Sequence, residues 1–195
     1  MSGDTHAVSG SFAALVIIQP KTISEISMCC MFGAVGGLLL DIDLRQSKGT
    51  KLTKTIISIF LTSIITMLTL EHLGLDVSIN FDVTNVTIVG YIGLLILVTY
   101  GMRTSHRMFT HSIEFVALSV LFFKMIGIPY MFAIAIGEIS HIILDLFNKK
   151  KLKLSLLCNF KLCFNLVPAN GVCNRLIFSL SSMFILLYIA LVWKR

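Results

Sequence analysis

The chain has 195 residues, of which 56% are hydrophobic and only 13% charged, and a mean hydropathy of +0.90. A soluble domain carries about 25% charged residues, so this composition excludes one and indicates an integral membrane protein. The net charge of +6 is dispersed between apolar runs, with no module that reads or stacks bases, and direct nucleic-acid binding is not expected.

A membrane-crossing helix needs roughly 17 to 25 mainly apolar residues. Seven runs qualify as helix cores, at residues 6–18, 24–40, 55–73, 86–102, 111–127, 130–147 and 175–193; the first is short for an upright crossing. The runs are continuous rather than alternating, which favours helices over a membrane barrel. The expected fold is therefore all-α, a polytopic transmembrane bundle of about seven helices forming a single domain over residues 1–195. The start, MSGDTHAVSG, has no basic segment before its apolar run, so no cleaved signal peptide is expected.

Between the sixth and seventh runs lies KLKLSLLCNFKLCFNL, residues 151–166. Leu152, Leu154 and Leu156 alternate with other residues, as do Phe160, Leu162, Phe164 and Leu166, a period that fits two short strands turning near Cys158 and Asn159. Such a hairpin can lie on the membrane interface or cover a site; an irregular basic loop is the alternative. The five cysteines lack the paired spacing of zinc modules and are read as free thiols.

Positive residues in short loops stay in the cytoplasm. Arg45, Lys48, Lys51, Lys54, Arg103, Arg107, Lys149, Lys150, Lys151, Lys153, Lys161 and Arg175 share the side of the amino terminus, which makes 12 of the 16 basic residues. The other side holds Lys21, Lys124, Lys194 and Arg195, and its longest loop, GLDVSINFDVTN at 74–85, has two aspartates and no basic residue. The expectation is a multi-pass protein of the inner (plasma) membrane with a cytoplasmic amino terminus.

The polar residues can then be placed in depth. His6 opens the first helix, Asp41 and Asp43 close the second, His106 follows the fourth, His111 begins the fifth, and His141 and Asp145 lie in the last turns of the sixth. Alternating crossings put all seven at the cytoplasmic end. Ionisable groups at a membrane edge are costly and are usually paired or functional, and a metal ion supplies a reason for this set. His141 and Asp145, at i and i+4, share one helical face. Asp41 and Asp43 sit at a helix carboxyl end, where the dipole disfavours negative charge and a cation offsets it. In SHRMFTHS, residues 105–112, His106 and His111 converge only if the chain turns between them, with Thr110 as a candidate N-cap for the fifth helix. His72, beside Glu71 at the opposite end, is read as an ordinary interfacial residue.

These motifs, Thr5-His6, then LLxDID with Ser47 four residues after Asp43, then HRxxTHS, then GxxSHIxxD, resemble the YdjM-type family of inner-membrane proteins over about residues 5–178. That family is described as LexA-binding, metal-dependent hydrolases. The resemblance implies a polytopic helical fold and a divalent-metal site from His6, Asp41, Asp43, His106, His111, His141 and Asp145, with Arg107 and Ser47 close by. The chain departs from the family pattern in having Leu40 where a proline precedes DID, Cys158 and Asn159 in place of a Trp-Pro pair, and Arg175 in place of a glutamate.

Two further acids stand near the histidines: Glu114 at i+3 from His111 and Glu138 at i−3 from His141. Each is a candidate to orient an imidazole through its other ring nitrogen, with a general-base or proton-path role as the alternative. The mixed His and Asp set suits Zn, Mn or Fe better than Ca, and seven ligands are enough for two ions. The leading expectation is a membrane-bound, metal-dependent hydrolase acting on a phosphoester or lipid-linked substrate at the cytoplasmic interface, with Arg107 neutralising developing charge and Glu138 as a second catalytic candidate. The alternatives are a non-catalytic, metal-braced membrane protein that docks a regulator such as LexA, and a metal transporter.

Overall fold

The structure, a computed structural model, describes residues 1–72, 84–158, 161–168 and 171–193. The acidic loop at 74–83, the side chains of Glu71 and His72, the turn at Asn159 and the pair Lys194 and Arg195 lie outside the described residues. Among those described there are seven α-helices: α1 (Gly3–Ile18), α2 (Ile23–Leu39), α3 (Lys48–His72), α4 (Asn85–Gly101), α5 (Ile113–Ile126), α6 (Met131–Leu146) and α7 (Val172–Trp193). Two strands of two residues each, β1 (Leu152–Lys153) and β2 (Lys161–Leu162), pair antiparallel with Leu152 opposite Leu162, which is the expected hairpin.

Each apolar run became a helix, and local chemistry sets most of their starts. Ser2 caps α1, Thr84 caps α4, and Thr22 forms a capping box with Glu25 on α2, so orphan backbone N–H groups are satisfied at each start. Helix α3 begins at Lys48, seven residues before its apolar core, because hydropathy registers the apolar segment and not the polar first turns of KGTKLTK. Helix α5 begins two residues later than expected, at Ile113, and its cap is Ser112 rather than Thr110: the Ser112 hydroxyl accepts the Phe115 N–H at 3.2 Å.

Helices α1, α2 and α6 pack backbone to backbone. A Cβ at Gly137 would run into the Gly33 carbonyl, and one at Gly37 into the His6 carbonyl, so no larger residue fits either seam. Small residues let helices approach this closely and exchange dispersion contacts along their length. The consequence is positional: His6 on α1, the end of α2 and His141 on α6 are drawn to one point. Leu40, Ile42, Phe115 and Leu152, all essentially buried, form an apolar floor and wall around that end of the bundle. A second cluster at the far end joins Ala14, Leu15, Ile26, Cys29 and Ala133.

Two helical stretches, Ile23–Asp43 and Val172–Trp193, are long and apolar enough by themselves to cross a membrane, and α1 and α4 are shorter apolar helices. Helix α7 turns most of its apolar surface outward, with Leu186 67% and Leu191 58% exposed, as suits a face solvated by lipid. All five cysteines are free thiols.

Candidate metal centre

Past Leu39, helix α2 tightens into a 3₁₀ turn, Leu40–Asp43, that places both Asp41 and Asp43 inward and buried. The turn is held from outside by the start of α3 and the residue before it: the Ser47 hydroxyl donates to the Asp41 carbonyl at 2.5 Å and the Thr50 hydroxyl to the Ile42 carbonyl at 3.0 Å. Facing it, the chain between α4 and α5 turns rather than continuing as helix. Arg107 adopts a left-handed backbone, φ 66°, uncommon for a residue with a side chain. Its N–H reaches Asp43 Oδ2 at 3.1 Å while its guanidinium reaches Asp145 Oδ2 at 2.9 Å. The turn also sets the His106 and His111 rings edge to face, 5.3 Å apart.

The centre of the arrangement is four side chains from three segments. His111 Nε2 lies 3.8 Å from Asp41 Oδ1 and 3.8 Å from Asp145 Oδ2, and His141 Nε2 lies 3.6 and 4.0 Å from the same two oxygens. These separations are too long for hydrogen bonds. Two donors each about 2.1 Å from one ion at a tetrahedral angle lie about 3.4 Å apart, close to what is seen. His111 Nε2 and His141 Nε2 are both buried and without a hydrogen-bond partner, an expensive state for a ring nitrogen unless a ligand meets it.

The opposite nitrogens are all spoken for. His141 Nδ1 pairs with the Gly37 carbonyl at 2.7 Å; a carbonyl only accepts, so this contact puts the proton on Nδ1 and the lone pair on Nε2. The Thr110 hydroxyl donates to Asp43 Oδ2 at 2.9 Å and therefore accepts from His111 Nδ1, also at 2.9 Å, which fixes the same tautomer in His111. Both rings thus present lone pairs toward Asp41 and Asp145. This is how protein metal sites orient imidazole ligands.

The remaining expected ligands flank this centre. His6 stacks on His141 with ring centroids 3.6 Å apart, and its Nε2 is 3.4 Å from Asp145 Oδ1. Asp145 Oδ1 also receives the Asn148 amide at 2.6 Å and the Met1 amino group at 3.2 Å. On the other flank His106 Nδ1 is 2.9 Å from Asp43 Oδ1. Three overlapping groups of buried or half-buried side chains can therefore hold a metal ion: Asp41 with His111 and His141, His6 with His141 and Asp145, and Asp43 with His106 and His111.

The hairpin roofs this end. The Arg107 guanidinium donates to the Lys150 carbonyl at 3.0 Å, the Lys153 N–H to the Arg107 carbonyl at 3.3 Å, and the Ile113 N–H to the Leu154 carbonyl at 2.9 Å. Beneath it, then, seven side chains separated by up to 139 positions of sequence stand together at one end of the bundle. The sequence pattern of the YdjM inner membrane protein family matches residues 1–194.

The chain belongs to that family. No curated protein and no solved structure matches it. In this YdjM family member the two extra acids do not address the histidines. Glu138 is fully buried, but both its oxygens accept from the Ser119 hydroxyl on α5, at 2.9 and 2.8 Å, and Gly37 occupies the imidazole position expected for it. Glu114 turns to the hairpin, accepting from the Ser155 hydroxyl at 2.5 Å and the Leu156 N–H at 2.9 Å. The Ser47 hydroxyl supports the turn by donating to the Asp41 carbonyl. Sequence reasoning missed three contributors: Gly37, whose carbonyl orients His141; Thr110 in its orienting role; and Asn148, which donates to Asp145. Asn148 stands three residues beyond Asp145, the same i+3 spacing that singled out Glu114 from His111.

Proposed function

We propose that this YdjM family protein is a metal-dependent hydrolase of phosphoesters, soluble or lipid-linked, working at the cytoplasmic face of the inner membrane. The observation that carries the reading is the pair of buried, unpartnered ring nitrogens, His111 Nε2 and His141 Nε2, aimed at Asp41 and Asp145. Asp41, His111, His141 and Asp145 would hold the first ion, and Asp43 with His106 would contribute to a second. Zinc, manganese and iron suit the mixed nitrogen and oxygen set. A bound ion supplies Lewis acidity toward a phosphoryl oxygen and toward water.

The chain's own residues account for the rest. Arg107 bonds Asp145 and the Lys150 carbonyl through its terminal nitrogens and keeps a buried Nε–H without a partner, a donor available to a phosphoryl oxygen. His106 is the more open histidine, its side chain 27% exposed, and stands where substrate enters. His6, stacked on His141 and bonded to Asp145, holds both in place.

The topology proposed is multi-pass, with seven membrane-embedded helices and a cytoplasmic amino terminus. Helices α5 and α6 return the chain to the same face, so His111 and Asp145 share that face however deeply the pair penetrates. Reporter fusions in residues 74–85 should read exterior and fusions at Lys149 cytoplasmic. A second reading is favoured by the way the cluster ties four separate segments together: the metal braces the bundle without turnover, and the cytoplasmic face docks a regulator of the LexA kind. Purified protein assayed for bound metal and against a phosphoester panel separates them. Metal-dependent turnover supports the hydrolase, and metal with no turnover supports the brace.

A further inference from the structure

The hairpin that roofs the metal centre does not end over the bundle axis. Its turn is tied to Glu114, whose carboxylate accepts from the Ser155 hydroxyl at 2.5 Å and the Leu156 N–H at 2.9 Å. Glu114 lies on the outward side of α5. Leu118 and Leu121, four and seven residues further on, share that side and are exposed, whereas Phe115, Val116 and Ser119 on the other side are buried. In a multi-pass bundle the outward side of α5 meets lipid, so the hairpin turn hangs at the cytoplasmic end of a lipid-facing surface.

What the turn presents there is apolar. Leu157 is 91% exposed, and Leu156 and Cys158 on either side of it are exposed as well. Ile113, the first residue of α5, is also exposed, and its N–H bonds the Leu154 carbonyl just before the turn.

Charge borders this turn directly. The Lys153 ammonium donates to the Leu156 carbonyl at 3.4 Å, which sets a cation against the apolar residues. Lys161 is exposed and stands opposite Lys153 in the β1–β2 pair. Lys149, Lys150 and Lys151, all exposed, lead into β1. The sequence has no aspartate or glutamate after Asp145, which is buried in the metal centre, and Glu114 is engaged by Ser155 and Leu156. An apolar turn ringed by lysines that the chain's own acids do not neutralise complements a layer of acyl chains under anionic phosphates.

We infer, on the multi-pass topology proposed above, that the turn Leu156–Cys158 is an interfacial anchor: it inserts into the cytoplasmic leaflet beside α5, with Lys153, Lys161 and Lys149–Lys151 on the phosphates of anionic phospholipids. The same hairpin bonds Arg107 through the Lys150 carbonyl and the Lys153 N–H, so the roof of the metal centre is moored to the membrane surface.

The test uses the full chain in phosphatidylcholine nanodiscs with and without phosphatidylglycerol. The single tryptophan is removed as Trp193→Phe, and an indole is introduced as Leu157→Trp, at an exposed position where it displaces no packing. Lipids brominated near the glycerol end of the acyl chain should quench the position-157 indole several-fold more than lipids brominated near the chain end, and its emission should be blue-shifted. Both effects should weaken without phosphatidylglycerol and in the added triple variant Lys149→Glu, Lys151→Glu, Lys161→Glu. Water-like emission without bromolipid quenching overturns the anchor and is the result expected of a turn that docks a protein instead. Quenching indifferent to lipid charge and to charge reversal overturns it too. Leu121→Trp in the same background reports the outward side of α5 separately. If the position-121 indole is quenched and the position-157 indole is not, the anchor falls and the embedded helix stands. If position 157 alone is quenched, the anchor stands and the embedding of α5 falls.

Discussion

Thr110→Val separates metal binding from folding at a single hydroxyl. Thr110 is fully buried, and its Oγ1 both donates to Asp43 Oδ2 and accepts from His111 Nδ1, each at 2.9 Å. Valine keeps the shape and removes both bonds. His111 is then free to change tautomer or ring angle, and loss of a group that orients a metal-bound imidazole costs about 10- to 100-fold in affinity, or roughly 1.4 to 2.7 kcal/mol. The neighbouring Ser112→Ala is the control: it removes the N-cap of α5 and should cost about 1 kcal/mol of stability while leaving metal affinity where it was. Chelator competition gives the affinity and thermal unfolding in detergent gives the stability. An unchanged metal affinity in Thr110→Val, with the protein folded, would refute the claim that His111 binds through Nε2.

Gly137→Ala forces a methyl group into the Gly33 carbonyl and should lower stability by about 1 to 3 kcal/mol, read as a depressed thermal midpoint and reduced yield from membranes. Glu138→Gln preserves an acceptor for Ser119 and does not touch His141, so bound metal measured by elemental analysis should match the parent; a fall would put Glu138 in the centre after all. Glu114→Ala removes the anchor of Ser155 and Leu156, and tryptic cleavage after Lys153 should accelerate several-fold as the hairpin loosens. Unaltered cleavage would mean that the Arg107 and Ile113 backbone bonds hold the roof alone.

Helix number was legible because apolar runs long enough to embed are hard to conceal, and the parity of crossings brought His6, Asp43, His106 and Asp145 to one end before any contact was known. The convergence of SHRMFTHS was legible as a condition, that the chain turn between His106 and His111, and the turn is there. What failed was direction. Thr110 and Ser112 are both good caps by type, and propensity does not reveal that Thr110 is taken by Asp43 and His111. Glu138 lies at i−3 from His141, about 60° around the helix by the ~3.6-residue period, enough to face Ser119 on α5 instead of the imidazole. The seam of Gly33, Gly37 and Gly137 was visible as glycines but not as a seam, since partners such as Gly33 and Gly137, far apart in the chain, share no local pattern.

X-ray absorption at the metal edge, on protein purified from membranes and reconstituted with zinc or manganese, addresses the central claim most directly. The expected result is a shell of nitrogen and oxygen at about 2.0 to 2.2 Å containing imidazole, with bound metal falling sharply in the His111→Ala and His141→Ala pair while the protein remains folded. Sulfur in the shell, or full metal occupancy in that double variant, would contradict it.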